Sequence, residues 1–470
     1  MIETLGLPIG AAVLWLAVFV FDLLAGPARG RVSGWITVVG LSALFGFSWA
    51  LEPGSEIAGG AFALDAFALY MQRILLGATA LGALASIDHA ERTMARRQSE
   101  YFQLFLFSLV GMLLLAGARE LILLIVAFEL MGVPLYVLAA MHKTDKFGIE
   151  GSLKLYLTGA VSAAVMLYGL SFIFGATGTT MLPEIARAPA SPFLILGLLL
   201  AFAGMGFKVG AAPFHMWIPD TYQGAPTPFV AFLSVAPKVA GFAALTRLFI
   251  EGLGPMRETW WPVLFAVCAV TMLVGNFFAL NQENVKRLLG YSGVAHIGLL
   301  LLALAIGTQR GIGVMLFYLA TYLFTNMGAF FVAEAVGRGG SDGIDAYRGL
   351  ARRSPWLALS MLLFLLSLGG IPFVAGFWAK MFLFWAAWEA GVRWLVLLGA
   401  ILAVVALYYY LRVARSIYIE KPAAGAARVQ VPWTLGAAIV IAMAGVVIIG
   451  VRPALLLEPA IRAARSVVSG

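Results

Sequence analysis

The sequence predicts an all-α polytopic membrane protein, and three observations carry that prediction. Of 470 residues, 62% are hydrophobic and 11% charged, with a mean hydropathy of +0.96. Apolar runs of spanning length recur along the chain, and Lys and Arg gather in the short segments between alternate runs. A chain of this composition lacks the charged surface that water requires, so lipid is most of its solvent. The net charge of +8 and isoelectric point near 9.6 would suggest nucleic acid in a soluble chain. Here the basic residues sit in loops, where cytoplasmic retention of Lys and Arg accounts for them, and nucleic-acid binding is discarded. The lone cysteine, Cys268, lies inside an apolar run, which excludes an internal disulfide, a CxxC pair and a cysteine-held cluster.

The first run, LGLPIGAAVLWLAVFVFDLLAG, is long enough to span and lacks a basic n-region and a small-residue cleavage site, so it reads as a first helix rather than a removed signal peptide. At roughly 20 apolar residues per span, about fourteen transmembrane helices are predicted. They lie near 3–25, 32–51, 64–87, 101–117, 119–141, 150–174, 191–214, 228–250, 260–280, 287–307, 311–336, 354–386, 392–417 and 432–451. No room remains for a soluble domain, and a single membrane domain, 1–470, is expected. Alternate junctions, beginning with the one after span 1, contain PARGR, RTMARR, HKTDK, ENVKR, GRGGSDGIDAYRGLARR and LRVARSIYIEKPAAGAAR. They hold roughly twice the Lys and Arg of the opposite set, which places both termini outside, on the periplasmic side. Trp35, Tyr101, Trp217, Trp260, Trp261, Trp356 and Trp394 fall near span ends, where interfacial anchors are expected.

Two spans are interrupted. Span 7 carries KVGAAPFHMW and span 12 carries SLGGIPFVAGFWAK, each with Gly and Pro inside an apolar run. Proline removes a helical hydrogen bond there and loosens the backbone. Interruptions at matching positions point to two inverted five-helix repeats with a pathway at the breaks. The repeats would be spans 4 to 8, residues 101–250, and spans 9 to 13, residues 260–417. Lys208 lies five residues before Pro213 whereas Lys380 lies eight after Pro372, so hydropathy alone leaves both the repeat and a pair of ordinary proline kinks open.

Four charges fall deep inside spans: Glu129 in span 5, Lys208 in span 7, Lys238 in span 8 and Lys380 in span 12. From Thr227 to Lys238 the helix rises roughly 16 Å, half the hydrocarbon thickness, too far for a lysine stem to reach the interface. Burial disfavours the ammonium, while a carboxylate at ~4 Å favours it by ~4 kcal/mol at an effective dielectric near 20. With the two effects comparable, moving the carboxylate can load or release a proton. A structural helix-helix bridge is the competing reading for any one of these residues, and it weakens when four charges cluster beside interrupted helices. His296, in span 10, suits a proton carrier between the regions of Lys238 and Lys380, or a packed, hydrogen-bonded histidine. His215 and Asp220, at or beyond the end of span 7, read as hinge or loop groups; Lys154 and Arg247 read as interfacial residues that snorkel. The four histidines, His89, His142, His215 and His296, do not make two facing pairs for haem, and no P-loop, GxGxxG after a strand, HExxH or Ser-His-Asp spacing is present.

APFHMWIPDTYQGAPTPFVAFLSVAPKVAGFAAL, EGSLKLYLTGAVSAAVMLYG, NQENVKRLLGYSGVAHIG and GGIPFVAGFWAKMFLF together resemble the antiporter-like subunits of respiratory complex I, the bacterial NADH:quinone oxidoreductase. The likeness covers nearly the whole chain. FHMWIPDTYQGAPTP and a lysine at 380 resemble chain N more than chains L and M, and 470 residues leave no space for the long lateral helix of chain L. YSGVAHIG and GGIPFVAGFWAK lack a second serine and a second proline expected there.

The resemblance implies a fourteen-helix fold with two inverted repeats and a central hydrophilic axis formed by Glu129, Lys208, Lys238 and Lys380. It implies proton translocation in the bacterial inner membrane, coupled to quinone reduction elsewhere. No cofactor would be bound by this chain, with NADH, FMN, iron-sulfur clusters and quinone used by other subunits. Chains of the M, L, K, J, A and H types and the lipid bilayer would be its partners. A subunit of a multi-chain cation/proton antiporter or of a membrane-bound hydrogenase shares the fold and the charges, and a structural membrane scaffold is the alternative of another class.

Overall fold

The computed structural model describes residues 3–25, 30–141, 145–422 and 426–468. His142, Lys143 and Thr144 of HKTDK, and Pro27 to Arg29 of PARGR, lie outside the described residues. The order is α1 (Gly6–Ala25), α2 (Gly30–Phe47), the hairpin β1 (Ser55–Ile57) and β2 (Phe62–Leu64), α3 (Ala66–Thr93), α4 (Gln98–Gly117), α5 (Leu121–Ala139) and α6 (Lys146–Thr177). A short α7 (Leu182–Ile185) precedes α8 (Pro192–Val209), α9 (Trp217–Gly224), α10 (Thr227–Leu233), α11 (Ala236–Thr246), α12 (Arg257–Leu280), α13 (Val285–Ile306) and α14 (Gln309–Gly337). The chain ends with a short α15 (Leu350–Arg353), α16 (Pro355–Gly369), α17 (Ala375–Glu389), α18 (Arg393–Tyr418), α19 (Trp433–Val451) and α20 (Ala454–Val468).

Among the described residues, thirteen helices are long and apolar enough to cross a membrane, counting 227–252 as one. The predicted span at 354–386 stands outside that count because it is two helices, α16 and α17, of 15 residues each. Helix ends fall where capping chemistry puts them. The carboxylates of Asp65, Glu120 and Asp145 accept from the first free N–H groups of α3, α5 and α6, and Ser191 and Asn284 do the same for α8 and α13. Burial is graded: α1, α2 and α6 are peripheral, whereas 227–252, α13 and α14 are almost wholly covered by other helices. Close approach uses small residues, as lipid-solvated bundles require: Gly169 of α6 and Gly197 of α8 each face the other helix's backbone, and Gly275 of α12 faces the Ala295 backbone of α13.

Both anticipated interruptions are present, and both are made the same way. α8 ends at Gly210 with φ 87° and α16 at Gly370 with φ 83°, left-handed conformations that favour glycine. In each, the two N–H groups past the end turn back onto the last-turn carbonyls: Ala211 to Gly206, and Ile371 to Leu366. Pro213 and Pro372 then prevent the helix from resuming. The span predicted at 228–250 also breaks. α10 and α11 meet at Ser234 and Val235, and Pro237 at the start of α11 lacks the N–H that continuity needs.

Several expectations are corrected by burial. Tyr101, Trp217 and Trp260 are not interfacial anchors but are buried, their donors satisfied inside: Trp217 on the Phe207 carbonyl (3.0 Å), Trp260 on the Leu253 carbonyl (2.9 Å), Tyr101 with the Ser86 hydroxyl (3.0 Å). Trp261, Trp356 and Trp394 are exposed. Arg247 does not snorkel. It is 1% exposed, with bonds of 2.8 and 2.9 Å to the Asp65 carboxylate and 3.0 Å to Glu251, and Arg119 also bonds Glu251. The sequence reading missed the hairpin and α20, which packs on α3 and α14 through Ser466 to the Phe67 N–H (3.1 Å) and Gln309 to the Ile461 carbonyl (3.1 Å).

Candidate functional site: a buried chain of lysines

Each of the three central lysines stands beside a helix break. Lys208 occupies the last turn of α8, two residues before Gly210. Its ammonium is buried 5.1 Å from the ring centres of both Phe128 and Tyr136 on α5, where the aromatic faces attract a cation. The notch that admits it is Gly132, one turn beyond Glu129. Glu129 does not form a bridge with Lys208: among the described residues no ion pair within 4.0 Å joins them, and the Glu129 Oε1 is buried without a hydrogen-bond partner.

Lys238 lies in the first turn of α11, just past the Ser234–Val235 break. Its Nζ, like the hydroxyls of Tyr222 and Tyr322, is buried and has no hydrogen-bond partner among the described residues. The two rings lie 5.8 and 5.9 Å from the ammonium, and Gly293 of α13 provides the notch, since a Cβ there would stand 3.1 Å from Nζ and 3.0 Å from the Tyr322 hydroxyl. Lys208 and Lys238 are linked through packing: Val209 abuts Gly241 of α11, and Trp217 packs edge-on against Tyr222.

His296 follows one turn along α13 from the Gly293 notch. Its ring lies 5.3 Å from that of Tyr322; Nδ1 shares a hydrogen bond with the Tyr318 hydroxyl at 2.7 Å and Nε2 with that of Tyr410 at 3.4 Å. Tyr410 also bonds Ser292. A cavity of about 20 Å³, lined by His296, Lys380, Asn276 and Tyr409, joins the histidine to the last lysine and is large enough for one water. The Lys380 ammonium donates to the carbonyls of Leu368 (2.7 Å) and Gly369 (3.1 Å), the free C-terminal acceptors of α16. The structure thus sets Lys238, His296 and Lys380 in order along α11, α13 and α17, with Tyr322 between the first two and the small cavity between the last two, and places Glu129 on the helix whose rings flank Lys208. Sequence reasoning missed the tyrosines at 136, 222, 318, 322 and 410; hydroxyls inside apolar runs were the available signal.

Other charges are paired. Asp220 bonds Lys154 of α6 and Arg287 of α13, both at 2.6 Å, so the hinge-region carboxylate ties α9 to two neighbours. His215 is half-buried in the break. His89 of α3 pairs with Glu334 of α14 at 3.0 Å, and Lys286 with Asp342 at 2.9 Å. Those four residues line a cleft of 300 Å³ that reaches Thr227, where α10 begins. Among the described residues, no group of three or more His, Cys, Asp or Glu is placed to hold a metal ion.

The family described as NADH:quinone oxidoreductase/Mrp antiporter, TM, matches residues 118–406. The chain is 40% identical over 458 residues to NADH-quinone oxidoreductase subunit N of Moorella thermoacetica, covering 96% of each, and 42% identical over 407 residues to that of Heliobacterium modesticaldum, covering 86% of each. Among solved structures, a chain of respiratory complex I from Thermus thermophilus with bound aureothin is 34% identical, with TM-score 0.82, over 96% of this chain and 98% of that one. A chain of the Mrp complex from Dietzia superposes with TM-score 0.90 over 100% and 98%, but at 20% identity it speaks to fold alone.

Proposed function

Since the chain belongs to the antiporter-like membrane subunits of the proton-translocating NADH:quinone oxidoreductase, and among them to subunit N, we propose that protons cross it along Glu129, Lys208, Lys238, His296 and Lys380. One contrast carries this reading. Arg247, Lys154, Lys286 and Arg287 all hold carboxylates within 3.0 Å, as structural charges do, whereas Lys208, Lys238 and Lys380 are buried with no carboxylate within 4.0 Å among the described residues. A scaffold that buries an unpaired ammonium incurs its desolvation without the compensating attraction; a relay needs an amine that exists in both protonation states.

In this reading Lys208 loads from the inside, with Glu129 biasing its charge, and Lys238 passes the proton on. Tyr222 and Tyr322 leave hydroxyls facing Lys238 that water can bridge. His296, held between Tyr318 and Tyr410, connects to Lys380, which leads outward. When charged, Lys380 is favoured by the negative end of α16, whose last carbonyls it bonds. The cleft at His89, Lys286, Glu334 and Asp342 would supply water to the Thr227 end of the segment carrying Lys238.

The same proposal includes a fourteenth membrane crossing built from α16 and α17, and two inverted repeats, 101–250 and 260–417. Its support is the matched pair of glycine-ended, proline-blocked helices, each with a lysine nearby. Both termini would face the periplasm of the bacterial inner membrane. NADH, FMN, iron-sulfur clusters and quinone belong to neighbouring subunits, and chains of the M, L, K, J, A and H types are its expected companions. The fold likeness to the Mrp chain keeps the antiporter architecture in common, and sequence identity favours the oxidoreductase. The test is purification of the tagged chain from membranes in mild detergent. Flavin and iron-sulfur subunits with NADH:quinone reductase activity should accompany it; recovery with antiporter or hydrogenase subunits instead would overturn the assignment.

A further inference from the structure

An apolar groove of 390 Å³ runs down the outside of the bundle between α2 and α3 on one side and α14 and α19 on the other, with α20 across its end. Phe45, Ala80, Leu323 and Ile441 line it. The opposite ends of α2 and α19 are closed together by Trp35 stacked on Trp433, with ring centres 5.1 Å apart. At the α20 end stands Arg73, eight residues past Asp65, the N-cap of α3; its side chain reaches back to donate to the Ser48 carbonyl at 2.8 Å and lies 4.1 Å above the Trp49 ring. No carboxylate of the described residues pairs with it, and its Nε has no hydrogen-bond partner.

An unpaired guanidinium at the head of an apolar slot is complementary to one amphiphile, an anionic phosphate joined to an acyl chain. We propose that this groove holds a membrane phospholipid of the leaflet on the α20 side, its phosphate on Arg73 and one acyl chain between α3 and α19. Arginine suits the phosphate because its planar fork presents several N–H donors, and a guanidinium near a span end with only an aromatic and a carbonyl for company retains donors for it. The chain's room comes from Gly77, where a Cβ would meet only the Leu323 Cδ1, at 3.9 Å. A larger side chain at 77 therefore enters the groove without a backbone clash. The lipid would fill the groove that α2, α3, α14 and α19 leave on the outside of the bundle.

The intact assembly carrying this chain, reconstituted with a photoactivatable diacyl phospholipid bearing its diazirine on the acyl chain, tests the assignment. Cross-linked peptides should map to 45–81 and to α19, and Gly77→Leu and Arg73→Leu should each lower that labelling by about tenfold. Arg73→Lys should restore most of it. A diacylglycerol probe with the same chains and no phosphate should label the wild-type groove about tenfold less, a comparison that needs no variant and holds even if Gly77→Leu fails to assemble. Equal labelling by the two probes would mean ordinary annular lipid contact and would overturn the proposal, as would unchanged labelling in assembled Gly77→Leu.

Discussion

The Lys208 ammonium lies where a side chain on Gly132 would begin: a Cβ on that glycine would stand 2.8 Å from Nζ. The cation is therefore placed by an absent side chain between Phe128 and Tyr136, and Glu129 lies one helical turn along α5 from that glycine.

Gly132→Ala should push the ammonium out of its notch without touching a charge. We expect a several-fold fall in proton translocation per NADH oxidised, with the complex still assembled. The control is Gly175→Ala, where a Cβ meets nothing within 4 Å. Dye quenching in inside-out vesicles reads both. Glu129→Ala and Lys208→Ala should each lower pumping, and the double variant should lose less than the sum.

Asp220 bonds Lys154 and Arg287 at once, so Asp220→Ala removes the ion pairs of α9 to α6 and to α13 together. Its effect on quinone reductase activity should exceed that of Lys154→Ala, which removes one arm of the tie. Lys154 is 45% exposed, and Lys154→Arg, which keeps the ion pair, should behave as wild type. Equal effects of Asp220→Ala and Lys154→Ala would argue against a tie shared by three elements.

Arg247 is a structural charge, and its loss should show in assembly. Arg247→Ala leaves Asp65 without its cation and Glu251 with Arg119 alone, and breaking a buried pair costs roughly 3–5 kcal/mol. Native gel electrophoresis should show much less intact complex, with specific activity of the remainder little changed.

The loop charges predict the orientation. In a Cys268→Ser background, Ser341→Cys, at an exposed position, should react with an impermeant maleimide in inside-out vesicles and not in sealed cells. The reverse pattern would invert the topology.

Much of this arrangement was legible in the sequence because its signals are local. Gly with Pro in an apolar run marked the breaks after α8 and α16, since a left-handed glycine and a missing N–H act within a few residues. Lysines with no reach to the interface marked the candidate proton path. What the sequence left hidden depends on neighbours far along the chain. The break at Ser234–Val235 had only Pro237 as a sign, within a segment hydrophobic enough to read as continuous. Arg247 looked like an interfacial arginine because Asp65, its partner, is 182 positions away. Tyr101, Trp217 and Trp260 looked like interfacial anchors because position along a helix does not say which face is covered. Glu129 beside Lys208 was legible as a pair of types, yet the notch at Gly132 that sets their spacing was not.

The proposed relay through this chain requires lysines that release protons, and Lys238 and Lys380 test it most directly. Arginine keeps the positive charge and does not give up its proton at any accessible pH. Lys380→Arg can still donate to the Leu368 and Gly369 carbonyls, and Lys238→Arg still presents a cation to Tyr222 and Tyr322, so a structural role would survive both. Proton pumping in inside-out vesicles, measured by quenching of a pH-gradient dye against the amount of assembled complex, should fall strongly in each variant. Wild-type pumping in both would contradict a proton path through these lysines.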